Sequence, residues 1–159
     1  MKLSAPTQAK GAGRTILVVD DDAPILHCIR RILEQAKYVV LTSPSGDHAW
    51  TVIERGDAGA DLVLADMVMP GSIDGLTLAA KIRQRERKLP VLFMTGAVLK
   101  DSEYLAEVTR NKLVLRKPFS PKQLIDLNRP LPAIAASQQI KCLPRKWDDS
   151  RYDLVLRFD

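Results

Sequence analysis

Five short, continuously apolar runs recur along the chain: Ile16-Leu17-Val18-Val19, Tyr38-Val39-Val40-Leu41, Leu62-Val63-Leu64-Ala65, Val91-Leu92-Phe93-Met94 and Leu113-Val114-Leu115. A strand with one face in water alternates apolar and polar side chains. A continuous run implies burial on both faces, as in a parallel sheet. Between the runs lie stretches with apolar residues at helical spacing, such as Ile25, Ile29, Ile32 and Leu33. The alternation predicts a parallel sheet covered by helices on both sides. Right-handed crossovers then make it doubly wound. The expected fold class is α/β, with five strands in the order 2-1-3-4-5.

Local signals place the helix ends. Asp22 stands where it can cap the first helix, and Pro24 suits its first turn. Ser45 can cap the second, which Gly56 stops. Residues 76–87 read as the third helix, residues 101–109 as a short fourth, and residues 122–128 as a fifth begun by Ser120-Pro121. Pro130 and Pro132 end the pattern. Three parts follow: a flexible N-terminus over 1–13, a domain over 14–129 and an extension over 130–159. In the extension, residues 133–139 read as a short helix. Residues 152–158 alternate like a half-buried strand, with Tyr152, Leu154, Leu156 and Phe158 on one side.

Composition narrows the function. The net charge is +5, but its positives are scattered apart from a cluster at Arg83 to Lys88, and aromatic residues are only 5%. That is a poor surface for stacking bases, so no nucleic-acid partner is expected. No apolar run reaches the ~20 residues needed to span a bilayer. The first 13 residues lack a secretory pattern, so no membrane association and a cytoplasmic location are the expectation. Cys28 and Cys142 are too few for a disulfide framework, and Cys28 reads as a small core residue. His27 and His48 read as helix-surface residues, Trp50 as packing, and Met67 and Met69 as filling for their loop.

In a doubly wound sheet the working site lies beyond the carboxyl ends of the strands. Asp20 and Asp21 follow the first strand, Asp66 the third, Thr95 the fourth and Lys117 the fifth. These side chains can converge on one cleft. Crowded carboxylates repel, and a divalent cation relieves the repulsion. An oxygen donor set with few protein ligands suits Mg²⁺. Such a cation also neutralises an incoming phosphoryl group. An aspartate can attack phosphorus to form an acyl phosphate. Lys117 would pair with a phosphoryl oxygen and the Thr95 hydroxyl would donate to another. An EF-hand loop is excluded, because the acidic run lacks the required glycine and terminal glutamate.

The stretches Ile16-Leu17-Val18-Val19-Asp20-Asp21-Asp22, Asp66-Met67-Val68-Met69-Pro70-Gly71, Asp74-Gly75-Leu76, Met94-Thr95-Gly96 and Lys117-Pro118-Phe119 resemble the receiver domain of two-component response regulators. The resemblance spans residues 14–128 and implies a flavodoxin-like fold. It implies that Asp66 is the phosphoacceptor, Asp21 the direct metal ligand, Asp20 its outer-sphere partner and the Val68 backbone carbonyl a further ligand. Thr95 would be the switch hydroxyl and Lys117 the phosphate-contacting lysine. The phosphoryl donor would be a histidine kinase or a histidine phosphotransfer protein. The chain would be no enzyme in the ordinary sense, but a switch promoting its own phosphorylation and dephosphorylation.

Departures from that pattern carry expectations of their own. Val114 stands where such receivers carry an aromatic residue that swings inward. Gly71-Ser72-Ile73 lengthens the loop before Asp74 by one residue. Val68 and Ala97 cannot orient a hydrolytic water, so loss of the phosphoryl group should be slow. The first hypothesis is a single-domain response regulator without an effector domain. Its output to an unknown downstream protein would pass through the fourth helix, fifth strand and fifth helix. Residues 152–158 would form an arm, on a partner in a homodimer or on the same sheet. A rival is a phosphorylation-independent interaction module, favoured by Val114. A third, an aspartyl-phosphate hydrolase of another α/β family, lacks its Asp-x-Asp motif.

Overall fold

The computed structural model describes residues 13–86, 88–96, 114–127, 140–144 and 154–158. In chain order these form β1 (Thr15–Val19), α1 (Ala23–Gln35), β2 (Val39–Ser43), α2 (Gly46–Glu54), β3 (Leu62–Asp66), α3 (Gly75–Arg85), β4 (Val91–Thr95), β5 (Val114–Arg116), α4 (Pro121–Leu127), β6 (Ile140–Pro144) and β7 (Leu154–Phe158). β1 to β5 make one parallel sheet in the expected order β2-β1-β3-β4-β5, with the edge strands β2 and β5 partly exposed. Every residue of β3 and β4 is buried, so neither face of the sheet centre meets water. Leu64 and Leu92 lie among the fully buried side chains there. Each such leucine contributes about 2 kcal/mol by leaving water.

The helix ends follow the local signals. The Asp22 carboxylate accepts from Ile25 N at 3.2 Å, with proline in the first turn of α1. Ser45 Oγ accepts from His48 N at 3.1 Å. Asp74 Oδ1 accepts from Thr77 N at 2.8 Å and caps α3. α3 ends at Arg85, earlier than residue 87, where the Arg85 guanidinium donates to the Glu54 carbonyl at 2.6 Å. Above that contact the Lys81 ammonium lies 5.0 Å from the Trp50 ring centre, so α2 and α3 share one face of the sheet.

Cys28 is exposed, not a core residue. The stripe of α1 that the sheet covers is Leu26, Ile29 and Leu33. Cys28 sits on the flank of that stripe with Ile25 and Ile32, in a groove shared with Phe119 beyond β5. Periodicity shows how wide the apolar arc of a helix is, but not how much of it the sheet covers. Met67 and Met69 are buried as expected, and His27 and His48 are exposed.

β6 and β7 form a separate antiparallel pair, with Cys142 opposite Leu156. The arm does not therefore join the main sheet; it pairs with a strand from its own extension. A short antiparallel partner close in sequence can be reached by a simple loop, whereas a parallel addition needs a long crossover. The expected helices at 101–109 and 133–139 lie outside the described residues. Among the described residues no helix is long and apolar enough to cross a membrane.

Candidate phosphoryl-transfer site

Strand register brings the polar residues together. Val19 is paired with Ala65, so Asp20 and Asp66 sit side by side where β1 and β3 end. Asp66 is level with Met94 on β4, and Thr95 with Arg116 on β5. Thr95 and Lys117 each follow by one step. The Lys117 backbone N–H donates to the Thr95 carbonyl at 2.8 Å, which carries β5 pairing into the site. The aliphatic stem of Lys117 passes Gly96, whose missing side chain would lie 3.8 Å from it.

Asp20, Asp21 and Asp66 present carboxylate oxygens that all lie within 4.8 Å of one another. Asp20 is fully buried, Asp66 is 9% exposed and Asp21 is open to solvent. The two buried carboxylates divide their oxygens in the same way. Asp20 Oδ1 accepts from Asp22 N at 2.9 Å, and Asp66 Oδ1 accepts from Val68 N at 3.1 Å. Their Oδ2 atoms converge on the Lys117 ammonium, at 2.5 Å from Asp20 and 2.7 Å from Asp66. Burial raises the Asp20 carboxyl above its ordinary value, and the Asp66 charge adds to that, against the opposing pull of Lys117 and the Asp22 N–H. Burial also works against the Lys117 charge. The two carboxylates outweigh it and hold the ammonium above the usual lysine value.

An all-oxygen cluster with one carboxylate open to solvent suits a hard divalent ion that keeps several waters. The donor chemistry therefore fits Mg²⁺. Thr95 is buried at the end of β4. Val68 holds its backbone against Asp66 while its side chain is 60% exposed.

The family described as response regulator receiver domain matches residues 16–129. The chain belongs to that family. Two relatives are the phosphate regulon transcriptional regulatory protein PhoB of Pseudomonas aeruginosa and the transcriptional regulatory protein ResD of Bacillus subtilis. They are 34% and 32% identical, over 71% and 69% of this chain. The matches take in 49% and 44% of those proteins, so the chain spans about half the length of the curated relatives it matches. The crystal structure of a CheY-like receiver domain protein from Methanospirillum hungatei covers 77% of this chain and 97% of its own, with a TM-score of 0.64 at 24% identity. That likeness shows the fold. Receiver domains are phosphoacceptor switches that take a phosphoryl group on an aspartate, and they typically bind Mg²⁺ in an acidic pocket.

Two contacts of this receiver could not be read from motif and spacing. A Cβ at Gly75 would meet the Asp66 backbone oxygen at 2.0 Å, so only glycine lets α3 start against the end of β3. The motif Asp74-Gly75 signals the turn but not the neighbour. Asp47, in the first turn of α2, reaches the loop beyond Asp66. In the sequence it is merely an acidic residue near a helix N-terminus, where acids are common.

Proposed function

We infer that this receiver accepts a phosphoryl group on the carboxylate of Asp66 from a histidine kinase or a histidine phosphotransfer protein. The supporting observation is the convergence of Asp20, Asp66 and Lys117 through hydrogen bonds of 2.5 and 2.7 Å, with Asp21 at the open side. An Asp66 oxygen attacks phosphorus, forming a P–O bond. The P–N bond to the donor imidazole breaks, and its electron pair leaves with the ring nitrogen. Lys117 swings from the carboxylates to a phosphoryl oxygen, and the Thr95 hydroxyl donates to another. Asp20, Asp21, Asp66 and the Val68 carbonyl would hold Mg²⁺, which when bound neutralises charge on the transferring group.

Output passes by protein contact, in keeping with scattered positive charge and few aromatic residues. The three-part division into 1–13, 14–129 and 130–159 belongs to this reading. So does a homodimer contact through the extension, since a two-stranded ribbon is marginal by itself.

Incubation of the chain with acetyl phosphate and Mg²⁺, followed by intact mass, tests the assignment. The expected result is a single phosphoryl adduct, absent in Asp66→Asn and absent without the metal. It should decay over minutes or longer, because the exposed Val68 side chain offers no group to orient water. An adduct that persists in Asp66→Asn would move the acceptor elsewhere. A wild-type chain that takes up no phosphoryl group would favour the interaction-module reading suggested by half-buried Val114 on β5.

A further inference from the structure

The loop from Asp66 to α3 leaves directly from the acidic cluster. Its first residues are held from β3 and β4: Met67 N donates to the Met94 carbonyl at 2.9 Å, and Val68 N to Asp66. Its last residues are held by the α3 cap. The stretch between, Pro70 to Ser72, is exposed and sits outside the core. One carboxylate from another element holds it. Asp47 Oδ2 accepts from Ser72 N at 3.2 Å and from Ile73 N at 3.3 Å, and Asp47 Oδ1 accepts from the Ser72 hydroxyl.

Two glycines make that grip possible. Gly46 brings the start of α2 against the Ile73 backbone, where a Cβ would lie 2.0 Å from the carbonyl oxygen. Gly71 has φ of +109°, and a Cβ there would stand 2.6 Å from Asp47 Oδ2. Three donors on an acceptor with no proton of its own suit an ionised carboxylate, and charge-assisted bonds of this kind are the stronger ones.

We propose that Asp47 is a positioning residue for the metal side of the phosphoryl site, gripping the Ser72-Ile73 backbone and so fixing the loop that presents the Val68 carbonyl. The inference rests on the metal assignment above and adds a residue to it. Asp47 touches none of the reacting groups. It acts through the loop, which is one residue longer than the shortest form and needs an external anchor.

Mg²⁺ titration of the full chain by calorimetry, without any phosphodonor, is the test. Asp47→Ala should weaken Mg²⁺ binding by about tenfold, the lower end for loss of a supporting group. Asp57→Ala, which removes the same charge from an exposed site after α2, should weaken it by less than about twofold, since distant exposed charges are screened. Asp47→Asn keeps one acceptor oxygen and should recover at least half of the loss on a logarithmic scale. Ser72→Ala removes only the hydroxyl bond and should cost about threefold; it serves in place of Asp47→Ala should that variant not fold. An Asp47→Ala affinity equal to that of Asp57→Ala overturns the inference. So does a lowered melting temperature with unchanged Mg²⁺ affinity, which would make the grip structural only. A wild-type chain that fails to bind Mg²⁺ would overturn the metal assignment itself, an outcome read before any variant is made.

Discussion

Lys117 holds together two carboxylates that would otherwise repel each other, and its own charge survives burial because they surround it. Its ammonium is held above the ordinary value of 10.5 in the folded chain. The ion pairs therefore contribute stability that is fully present below 10.5 and is lost as pH rises through the higher folded value. In Lys117→Met, metal-free chain should lose about 2 kcal/mol near neutral pH, the scale of hydrogen bonds to charged groups. Urea unfolding from pH 8 to pH 11.5 should show the gap to wild type closing only at the alkaline end. Asp20 has the same sense, at the acid end of the range. Its carboxyl is raised above 3.8, so its contribution falls as pH rises through that region. Mg²⁺ relieves what Lys117 relieves, so the same variant should bind the ion more tightly. A unit positive charge ~5 Å from a divalent cation at an effective dielectric of ~20 opposes binding by roughly 7 kcal/mol before screening.

Elements meet here at glycines. α3 begins directly against the end of β3, and its first residue has no room for a methyl group beside Asp66 O at 2.0 Å and Met67 Cα at 2.9 Å. Neither atom can yield without shifting the strand end that carries Asp66. Gly75→Ala should therefore cost roughly 3 kcal/mol of stability in denaturant unfolding, the upper range for overpacking. It should also slow phosphorylation by acetyl phosphate under conditions where the variant remains folded. The same contact explains why α3 carries its cap at Asp74 and not later: the helix must turn away at once. α1 shows the complementary case. Its sheet-facing stripe is narrow, and its outer flank with Cys28 is left to the groove shared with Phe119.

At the scale of the whole chain, a parallel five-stranded receiver is joined to an extension that forms its own antiparallel pair. β7 runs beside α3. The ribbon adds no strand to the main sheet, so loss of the extension should leave the receiver folded while removing any contact the ribbon makes with a second copy. Truncation after Pro130 is expected to convert a dimer to a monomer in light scattering, with intact acetyl phosphate labelling at Asp66. An unchanged oligomeric state would remove the extension from the interface.

Much of the receiver is local information. Continuous apolar runs mark β1 to β5 as strands and report two-sided burial at β3 and β4, whereas the edge strand β2 leaves Val39 51% exposed. Asp22, Ser45 and Asp74 cap helices within a few residues of themselves. Asp20, Asp21, Asp66, Thr95 and Lys117 stand out because each closes an apolar run. The contacts that only tertiary structure decided are long-range. Asp47 reaches a loop 25 residues away, Gly75 lies against a carbonyl on another element, and Cys28 is exposed because the sheet covers only part of its helix. β6 pairs with β7 although Ile140–Pro144 carries no clear alternation of its own. Such features depend on which surfaces the fold brings face to face, and no window of neighbouring residues contains both partners.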